Sequence, residues 1–196
     1  MRPVADEGTG RERIVVIGEA PGAVEESTGR PFVGLAGRKL GEWLSHAGLQ
    51  RTDCYITNVC AVRPPDTKLA ALPRAEVARW TEALHQRLAG LADPWVLVPT
   101  GETALRALTG KRGITKHRGS IYEYEDRGGR RIKTIATLHP AAIFRQPSWE
   151  RRCLRDWERI ASDSTFRELR LPVREHLVRP TLDDLRWFCA EVAASA

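Results

Sequence analysis

The chain has 196 residues, of which 42% are hydrophobic and 29% are charged, and its formal net charge is +6. This composition is typical of a folded globular protein and excludes a disordered chain. No apolar run approaches the roughly 20 residues of a membrane-spanning helix, and the N-terminus lacks the apolar core of a secretory signal, so we expect a cytoplasmic protein without membrane contact.

The cysteines and the arginines limit the possible functions further. The four cysteines lie far apart in the sequence, without a CxxC pair, which favours reduced thiols over a disulfide framework or a zinc site. All but five of the 31 basic residues are arginine. Arginine suits bidentate contacts to phosphate, so nucleic acid is one partner that this excess indicates. A GC-rich genome would explain the same excess without any function.

Strands and helices are predicted to alternate along the chain. Short apolar runs that end at turn residues predict strands, and apolar residues at helical spacing predict helices. Strands separated by helices indicate a mostly parallel sheet covered on both faces, with ligands bound at the carboxyl ends of the strands. In chain order, we predict strands at 13–17, 54–59 and 95–98, a hairpin of 121–124 with 131–137, and helices at 35–49, 74–91, 101–108 and 149–160.

The C-terminal part has a different character. Residues 162–180 are polar and rich in arginine, and Thr181 then begins a helix as its N-cap, with Asp184 three residues further on. We expect residues 1–162 to form one domain and residues 163–196 a C-terminal extension. Its helix either leads into a further domain or docks back on the sheet.

The first of three candidate functional segments is GEAPGAVEESTGRPFVGLAG, from Gly18 to Gly37. Glycines on both sides of Ala-Pro let the main chain approach a ligand closely, and its N–H groups can hold an anion or a water. Phe32 lies in a loop, where an aromatic ring can serve as a stacking platform. The segment is neither a P-loop nor a dinucleotide fingerprint.

The other two segments follow later strands. Asn58 ends a strand, and its carboxamide can match the hydrogen-bonding edge of a base, although it can equally hold the following loop. His139 precedes Pro140 and can donate a hydrogen bond to charge that develops on a leaving group. Ile143 and Phe144 can form a wedge into DNA, or they can belong to the core.

Together, these segments resemble the uracil-DNA glycosylase superfamily, and most closely its family 4, over about Ile14 to Arg159. The resemblance rests on the first segment, on Thr57-Asn58-Val59 with Arg63-Pro64-Pro65, and on His139-Pro140-Ala141-Ala142. It implies an α/β fold, namely a three-layer α/β/α sandwich with a central four-stranded parallel sheet. It also implies hydrolysis of the N-glycosidic bond of deoxyuridine, in single- or double-stranded DNA, by a monomer.

The resemblance also implies roles for individual residues. Phe32 would stack on the uracil, Asn58 would bind its edge, and His139 would contact the carbonyl that gains negative charge. Glu25 would exclude a thymine methyl. Glu19 and Ala20, with the backbone of Gly18 and Gly22, would line the pocket and help to place the water. Contacts to DNA are expected from Arg63, Lys116, Arg118, Ile143, Phe144 and Arg145.

Two departures from family 4 affect the expected chemistry. Members of that family usually bind an iron–sulfur cluster through four cysteines, but Val62 and Trp80 stand at two of those positions, and no cysteine precedes Gly18. We therefore predict neither an iron–sulfur cluster nor another metal, with Val62 and Trp80 filling the space by apolar packing. Thr67-Lys68 replaces the family's Asn-Arg, which puts rate or substrate range in question.

Three alternatives remain open from the sequence. The chain is also compatible with a non-catalytic module that binds uracil or a modified base and is attached to a replication protein. It is compatible with a glycosylase for another deaminated or modified base. A sister branch traps uracil covalently through a histidine in a basic loop, and His117 is the candidate here, but the spacing and the GEAPG motif argue against it.

Overall fold

A computed structural model describes residues 2–65, 69, 72–170 and 181–194 of the chain. The Thr67-Lys68 departure lies outside the described residues. Within them, the sheet contains β1 (Ile14–Gly18), β2 (Cys54–Asn58), β3 (Val96–Pro99), β4 (Ile121–Glu125) and β5 (Arg131–Ile135). The helices are α1 (Ala23–Thr28), α2 (Leu35–His46), α3 (Arg74–Ala89), α4 (Glu102–Thr109), α5 (Ile114–His117), α6 (Glu150–Asp163) and α7 (Leu182–Ala194).

The sheet has five strands in the order β2-β1-β3-β5-β4, so the expected count of four is wrong. Four strands are parallel, and the fifth, β4, pairs antiparallel with β5 at the sheet edge. A tight turn makes this hairpin: Gly129 has φ +77°, and the Asp126 carboxylate accepts hydrogen bonds from the N–H groups of Gly128 and Arg130. The sequence pattern predicted the hairpin, whereas the count of four came from the resemblance.

Helices cover both faces of the sheet. Along β1, Ile14 and Val16 face one apolar cluster, which also contains side chains of α2 and α6. The alternate residues Val15 and Ile17 face a second cluster, with side chains of α3 and α4. All five residues of β1 are buried, as expected for a central parallel strand covered on both sides.

The long predicted elements are confirmed, with ends that differ by up to three residues. Two short helices, α1 and α5, were not predicted. Six-residue α1 lies among glycines, and its N-cap is Gly22, whose N–H donates to the Glu25 carboxylate at 3.2 Å. Thr181 and Asp184 form the predicted cap of α7. Within the described part of the chain, no helix is both long and apolar enough to cross a membrane.

Candidate active site

A cavity of about 460 Å³ opens at the carboxyl ends of the parallel strands. Segments that follow β1, β2 and β5 contribute to its wall, which is where an open α/β sheet binds its ligands. Its lining residues include Ala20, Gly22, Glu25, Phe32, Asn58, His139 and Phe144.

Asn58 is the last residue of β2 and lies beside Gly18 in the parallel register. It is only 6% exposed. Its main-chain carbonyl accepts a hydrogen bond from Arg87 Nη2 at 2.6 Å, which fixes the strand end. Among the described residues, no protein group hydrogen-bonds to its carboxamide, so a buried amide with two donors and one acceptor faces the cavity.

Phe32 occupies a strained backbone conformation. Its φ of 49° is the only positive value of a non-glycine residue in the described part of the chain. Arg51 holds this turn in place: its Nη1 donates to the Phe32 carbonyl at 2.9 Å and its Nη2 to the Pro31 carbonyl at 2.6 Å. Glu7 in turn binds Arg51 Nε at 2.6 Å. Such strain persists only where the surroundings over-determine it, and it concentrates at functional sites.

Glu25 holds the same turn from its other side. Its Oε1 accepts from the N–H groups of Val33 and Gly34 at 2.9 and 2.8 Å, and its Oε2 accepts from Gly22 N–H. The carboxylate is 9% exposed and lies on the cavity wall. Three main-chain donors therefore fix the carboxylate, and with it the distance between α1 and the Phe32 turn.

Glycine makes the close approach of these groups possible. A Cβ at Gly18 would lie 2.3 Å from Asn58 Oδ1 and 2.6 Å from the Phe32 ring. A Cβ at Gly37, on α2, would lie 1.8 Å from the Phe32 carbonyl oxygen. Neither contact is sterically possible, so both positions require glycine if Phe32 is to keep its place.

His139 follows β5 and has a defined tautomer. Its Nδ1 accepts a hydrogen bond from Ala141 N–H at 3.2 Å, so the proton of the neutral ring lies on Nε2. Burial lowers the pKa of His139 below its ordinary value, while the charge of Glu19 opposes that shift. The ring centroid lies 5.7 Å from that of Phe32, with 30° between the planes. A neutral imidazole with one N–H donor thus stands beside the aromatic ring.

Ala20 and Glu19 were both predicted to line the pocket, but only Ala20 is among the lining residues. Ala20 lines the cavity. The Glu19 carboxylate instead accepts from Leu69 N–H at 2.9 Å and from Thr103 Oγ1 at 2.8 Å, so it joins the loop before α3 to α4. Its main chain accepts from Cys60 N–H at 3.0 Å, which ties the strand end of β1 to that of β2.

The residues expected to contact DNA divide into two groups. Phe144 lies at the mouth of the cavity and is 52% exposed, and Lys116 and Arg145 are also exposed. Ile143 is 4% exposed and packs in the core cluster on the α2 and α6 face, so the expected wedge does not include it. The difference arises because the turn after Pro140 directs the two adjacent side chains to opposite sides.

Two of the predicted arginines already have protein partners. Arg118 binds the buried Asp156 through Nε and Nη2 at 2.9 and 2.5 Å, and it also donates to the Arg152 carbonyl. The Arg118 guanidinium therefore links the end of α5 to α6 and has its hydrogen bonds within the protein. Arg63 lies 3.5 Å from Glu26, a contact long and exposed enough to be exchanged for phosphate.

Sequence motifs did not indicate the groups that support the site. Asp6 accepts hydrogen bonds from Tyr55 and Thr57 on β2 and lies 3.3 Å from Arg87 Nε. Like Glu7, it belongs to the N-terminal segment, which pairs with the edge of β2 through Glu7 and Ile56. The only signal in the sequence is the placement of two acidic residues before the first strand.

The cysteines do not form the ligand set of an iron–sulfur cluster. Cys54 and Cys153 belong to the apolar cluster on one sheet face, whereas Cys60 belongs to the cluster on the other. Val62 and Trp80 pack against the same cluster as Cys60. In the described ranges, no three His, Cys, Asp or Glu residues come close enough to hold a metal ion. The residues present therefore do not fit such a cluster.

His117 lies in the predicted basic region, on α5. Its Nδ1 is 2.6 Å from the hydroxyl of Tyr122. It is not among the residues that line the cavity with Phe32, Asn58 and His139.

An open α/β sheet that presents an aromatic ring, a free carboxamide and a neutral imidazole to one cavity defines a protein that binds a planar, hydrogen-bonding ligand. Residues 5–160 match the family model described as the uracil DNA glycosylase superfamily. The chain belongs to this superfamily.

Individual relatives match over similar lengths. A type-4 uracil-DNA glycosylase of Archaeoglobus fulgidus is 38% identical over 160 residues, which are 78% of each chain. A type-4 uracil-DNA glycosylase of Thermotoga maritima is 40% identical over 163 residues, which are 81% of each chain. A DNA polymerase of Bacillus phage SP01 is 28% identical over 165 residues, covering 82% of this chain but 17% of the polymerase.

Proposed function

We propose that the protein is a uracil-DNA glycosylase. It hydrolyses the N-glycosidic bond of deoxyuridine in DNA, releases uracil and leaves an abasic site, which begins base-excision repair. The observation that carries this proposal is the arrangement of Phe32, Asn58 and His139 around one cavity in a chain of this superfamily. The names of the relatives that match over most of both chains favour it over a non-catalytic base-binding module.

Recognition of the base follows from the two buried groups at the strand ends. The Phe32 ring gives a flipped uracil an apolar face on which to stack. The Asn58 carboxamide offers an acceptor for the uracil N3–H and a donor for O4, so it matches that edge of the base. Because no described protein group occupies this carboxamide, binding uracil satisfies a buried amide that otherwise lacks a protein partner.

Catalysis rests on stabilising the departing base. When the bond between C1′ and N1 breaks, its electron pair leaves with uracil, and the negative charge spreads to O2. His139 Nε2–H donates to that oxygen, and because the ring is neutral it gains this interaction without a prior proton transfer. Water then supplies the hydroxyl group at C1′, and its remaining proton neutralises the departing uracil anion. Ala20 offers no carboxylate to this water, so the main chain of Gly18, Glu19 and Gly22 is left to position it.

Glu25 supports selectivity against thymine. Its carboxylate lies on the cavity wall and is held by three main-chain N–H groups, so it does not swing aside to admit a larger base. A thymine methyl next to a fixed wall meets steric overlap, and overlap discriminates more strongly than the loss of one favourable contact.

The substrate is DNA that contains uracil, and contacts to its backbone come from Arg63, Lys116 and Arg145. Residues 1–162 form the glycosylase domain in this proposal, since the family match ends at residue 160. Residues 163–196 are an extension that the reaction does not need.

A cleavage assay tests the proposed function. Purified protein is incubated with a labelled oligonucleotide that carries one uracil, and abasic sites are then cut with alkali. We expect cleavage of the uracil strand and none of a matched thymine strand. Asn58→Ala and His139→Ala should each reduce the rate by at least about 100-fold, since each removes a donor to the leaving base.

His46→Gln is the matched control, because His46 lies on α2 away from the cavity and pairs with Glu158. It should cleave at the rate of the unmodified protein. Tight binding of uracil-containing DNA without cleavage would contradict the proposal and favour the base-binding module. Cleavage of a hypoxanthine strand in preference to uracil would favour a glycosylase for another base.

A further inference from the structure

A second cavity, of about 650 Å³, lies between α3 and α4. It is separate from the cavity that holds Phe32 and His139, and the two share no lining residue. Three of its six lining residues are arginines, and the other three form an apolar floor. We call it the arginine groove; it is lined by Leu72, Arg74, Val77, Ala78, Arg106 and Arg112.

The arginine groove lies on the same rim of the sheet as the catalytic cavity. Helix α3 begins at Arg74, after the loop that leaves the carboxyl end of β2. The chain after α4 folds back, because Gly113 N–H and Ile114 N–H donate to the carboxylate of Glu102, the first residue of α4. Arg74 and Arg112 therefore lie near the carboxyl-end rim, and Arg106 is about one helical turn along α4.

Glu19 connects the groove to the catalytic cavity. Its carboxylate binds Leu69 N–H and Thr103 Oγ1, on the two segments that flank the groove. The neighbouring residue, Ala20, lines the catalytic cavity. Glu19 thus joins the segments beside the groove to the strand end that precedes Ala20.

The guanidinium groups of the groove differ in their surroundings from those of the arginines that stabilise the fold. In the part of the chain that the structure describes, Arg74, Arg106 and Arg112 have no carboxylate within salt-bridge distance. By contrast, Arg118 and Arg130 bind Asp156 and Asp126, which are nearly buried. Three unpaired guanidinium groups around one groove repel one another, and an anionic ligand relieves this repulsion.

We propose that the arginine groove binds backbone phosphates of the DNA strand beyond the nearest neighbours of the flipped nucleotide. Guanidinium groups contact phosphate oxygens in a bidentate manner, and the apolar floor of Leu72, Val77 and Ala78 accommodates sugars or unpaired bases. The inference rests on the proposed function, because it is that substrate which brings phosphates to this rim. It adds three arginines to those that the motifs indicated.

Salt dependence of the reaction tests the inference. KM and kcat for a uracil-containing single strand are measured over a series of NaCl concentrations, for the unmodified protein and for R74Q, R106Q, R112Q and the triple variant. In each groove variant, KM should be higher than in the unmodified protein, and kcat should be unchanged. The slope of log KM against log[NaCl] should fall by about 0.7 for each lost phosphate contact and by about 2 in the triple variant.

Arg11→Gln is the matched control. Arg11 is exposed and lies before β1, at the amino end of the sheet and therefore opposite the groove. The Arg11→Gln substitution lowers the net charge by as much as each single substitution in the groove. It should nevertheless leave the slope of log KM against log[NaCl] unchanged. A uracil-containing trinucleotide is the second control, because it is too short to reach the groove, and its kcat/KM should be equal in all variants.

The outcomes separate this inference from the proposed function. The inference is wrong if the triple variant folds and its slope of log KM against log[NaCl] equals that of the unmodified protein. It is also wrong if the triple variant has a lower kcat on the trinucleotide. If the triple variant does not fold, the three single variants decide, and the changes in their slopes should add.

If the unmodified protein cleaves no uracil strand, the proposed function fails. Fluorescence anisotropy with a uracil-free oligonucleotide still tests phosphate binding by the groove. Stronger competition by polyglutamate than by an oligonucleotide of equal charge would overturn it in favour of an acidic peptide.

Discussion

The tautomer of His139 decides which atom it can offer to a substrate. Its Nδ1 is occupied by Ala141 N–H, and burial lowers the pKa of the ring. We therefore expect nitrogen NMR to find a neutral imidazole with its proton on Nε2 at pH about 7, and a titration midpoint below the ordinary value of 6.5. The His139→Ala variant assigns the resonance. A charged ring at neutral pH, or a proton on Nδ1, would contradict this description.

The same lowered pKa makes His139 a source of acid sensitivity. As pH falls through 6.5, the unfolded chain takes up a proton at this residue before the folded protein does. The free energy of unfolding depends on that difference in bound protons. The protonation of His139 therefore lowers the free energy of unfolding as the pH falls from 6.5 to the lower pKa of the folded state, and below that pKa the loss is complete. His85 adds to the effect in the same direction, since burial also lowers its pKa.

At the level of elements, the Phe32 turn is held by groups from three parts of the chain. Arg51 binds the carbonyls of residues 31 and 32, and Glu25 on α1 binds the N–H groups of residues 33 and 34. Glu7, which pairs with the edge of β2, orients Arg51. The position of the aromatic ring thus depends on the N-terminal segment, which carries none of the motif residues.

Arg51 and Arg30 offer a matched test of this arrangement, since both bind Glu7. Only Arg51 contacts the turn, and the Arg30 side chain is 62% exposed. Arg51→Gln should destabilise the protein by about 1–3 kcal/mol, because two carbonyls and a carboxylate lose a donor, and Arg30→Gln by no more than about 0.5 kcal/mol. Urea unfolding measures both.

The same pair of variants separates positioning from stability. At a temperature where both are folded, Arg51→Gln should reduce kcat for uracil excision at least about 10-fold, since small displacements of a base-positioning group are costly. Arg30→Gln should retain full kcat. Equal effects of the two substitutions on kcat would show that Arg51 serves only as a partner of Glu7.

For the whole molecule, the sequence predicted what depends on local pattern and missed what depends on packing between distant segments. Alternating apolar runs and helical spacing identified each long element, including the β4–β5 hairpin. Ile143 and Phe144 are adjacent and equally apolar, yet one is in the core and the other at the cavity mouth. Arg118 has the sequence context of a DNA contact, but Asp156, far along the chain, binds it.

The sheet itself separates the cysteines that an iron–sulfur cluster would need. Cys54 and Cys153 lie on one face and Cys60 on the other, so no local rearrangement gathers them around one cluster. Burial raises the pKa of Cys54 and of Cys153 to about 12, which disfavours the thiolates that bind iron. Val62 and Trp80 are partly buried and pack against the apolar cluster that contains Cys60.

We therefore expect the purified protein to lack the broad visible absorption of an iron–sulfur cluster and to contain no stoichiometric iron. Uracil excision should persist after treatment with a chelator and after anaerobic purification alike, because the groups assigned to recognition and catalysis include no metal ligand. Stoichiometric iron that co-purifies with the chain and is lost together with activity would contradict this expectation. Trp80→Ala should destabilise the protein by about 1–3 kcal/mol, because the ring is partly buried against the apolar cluster, and urea unfolding measures the change.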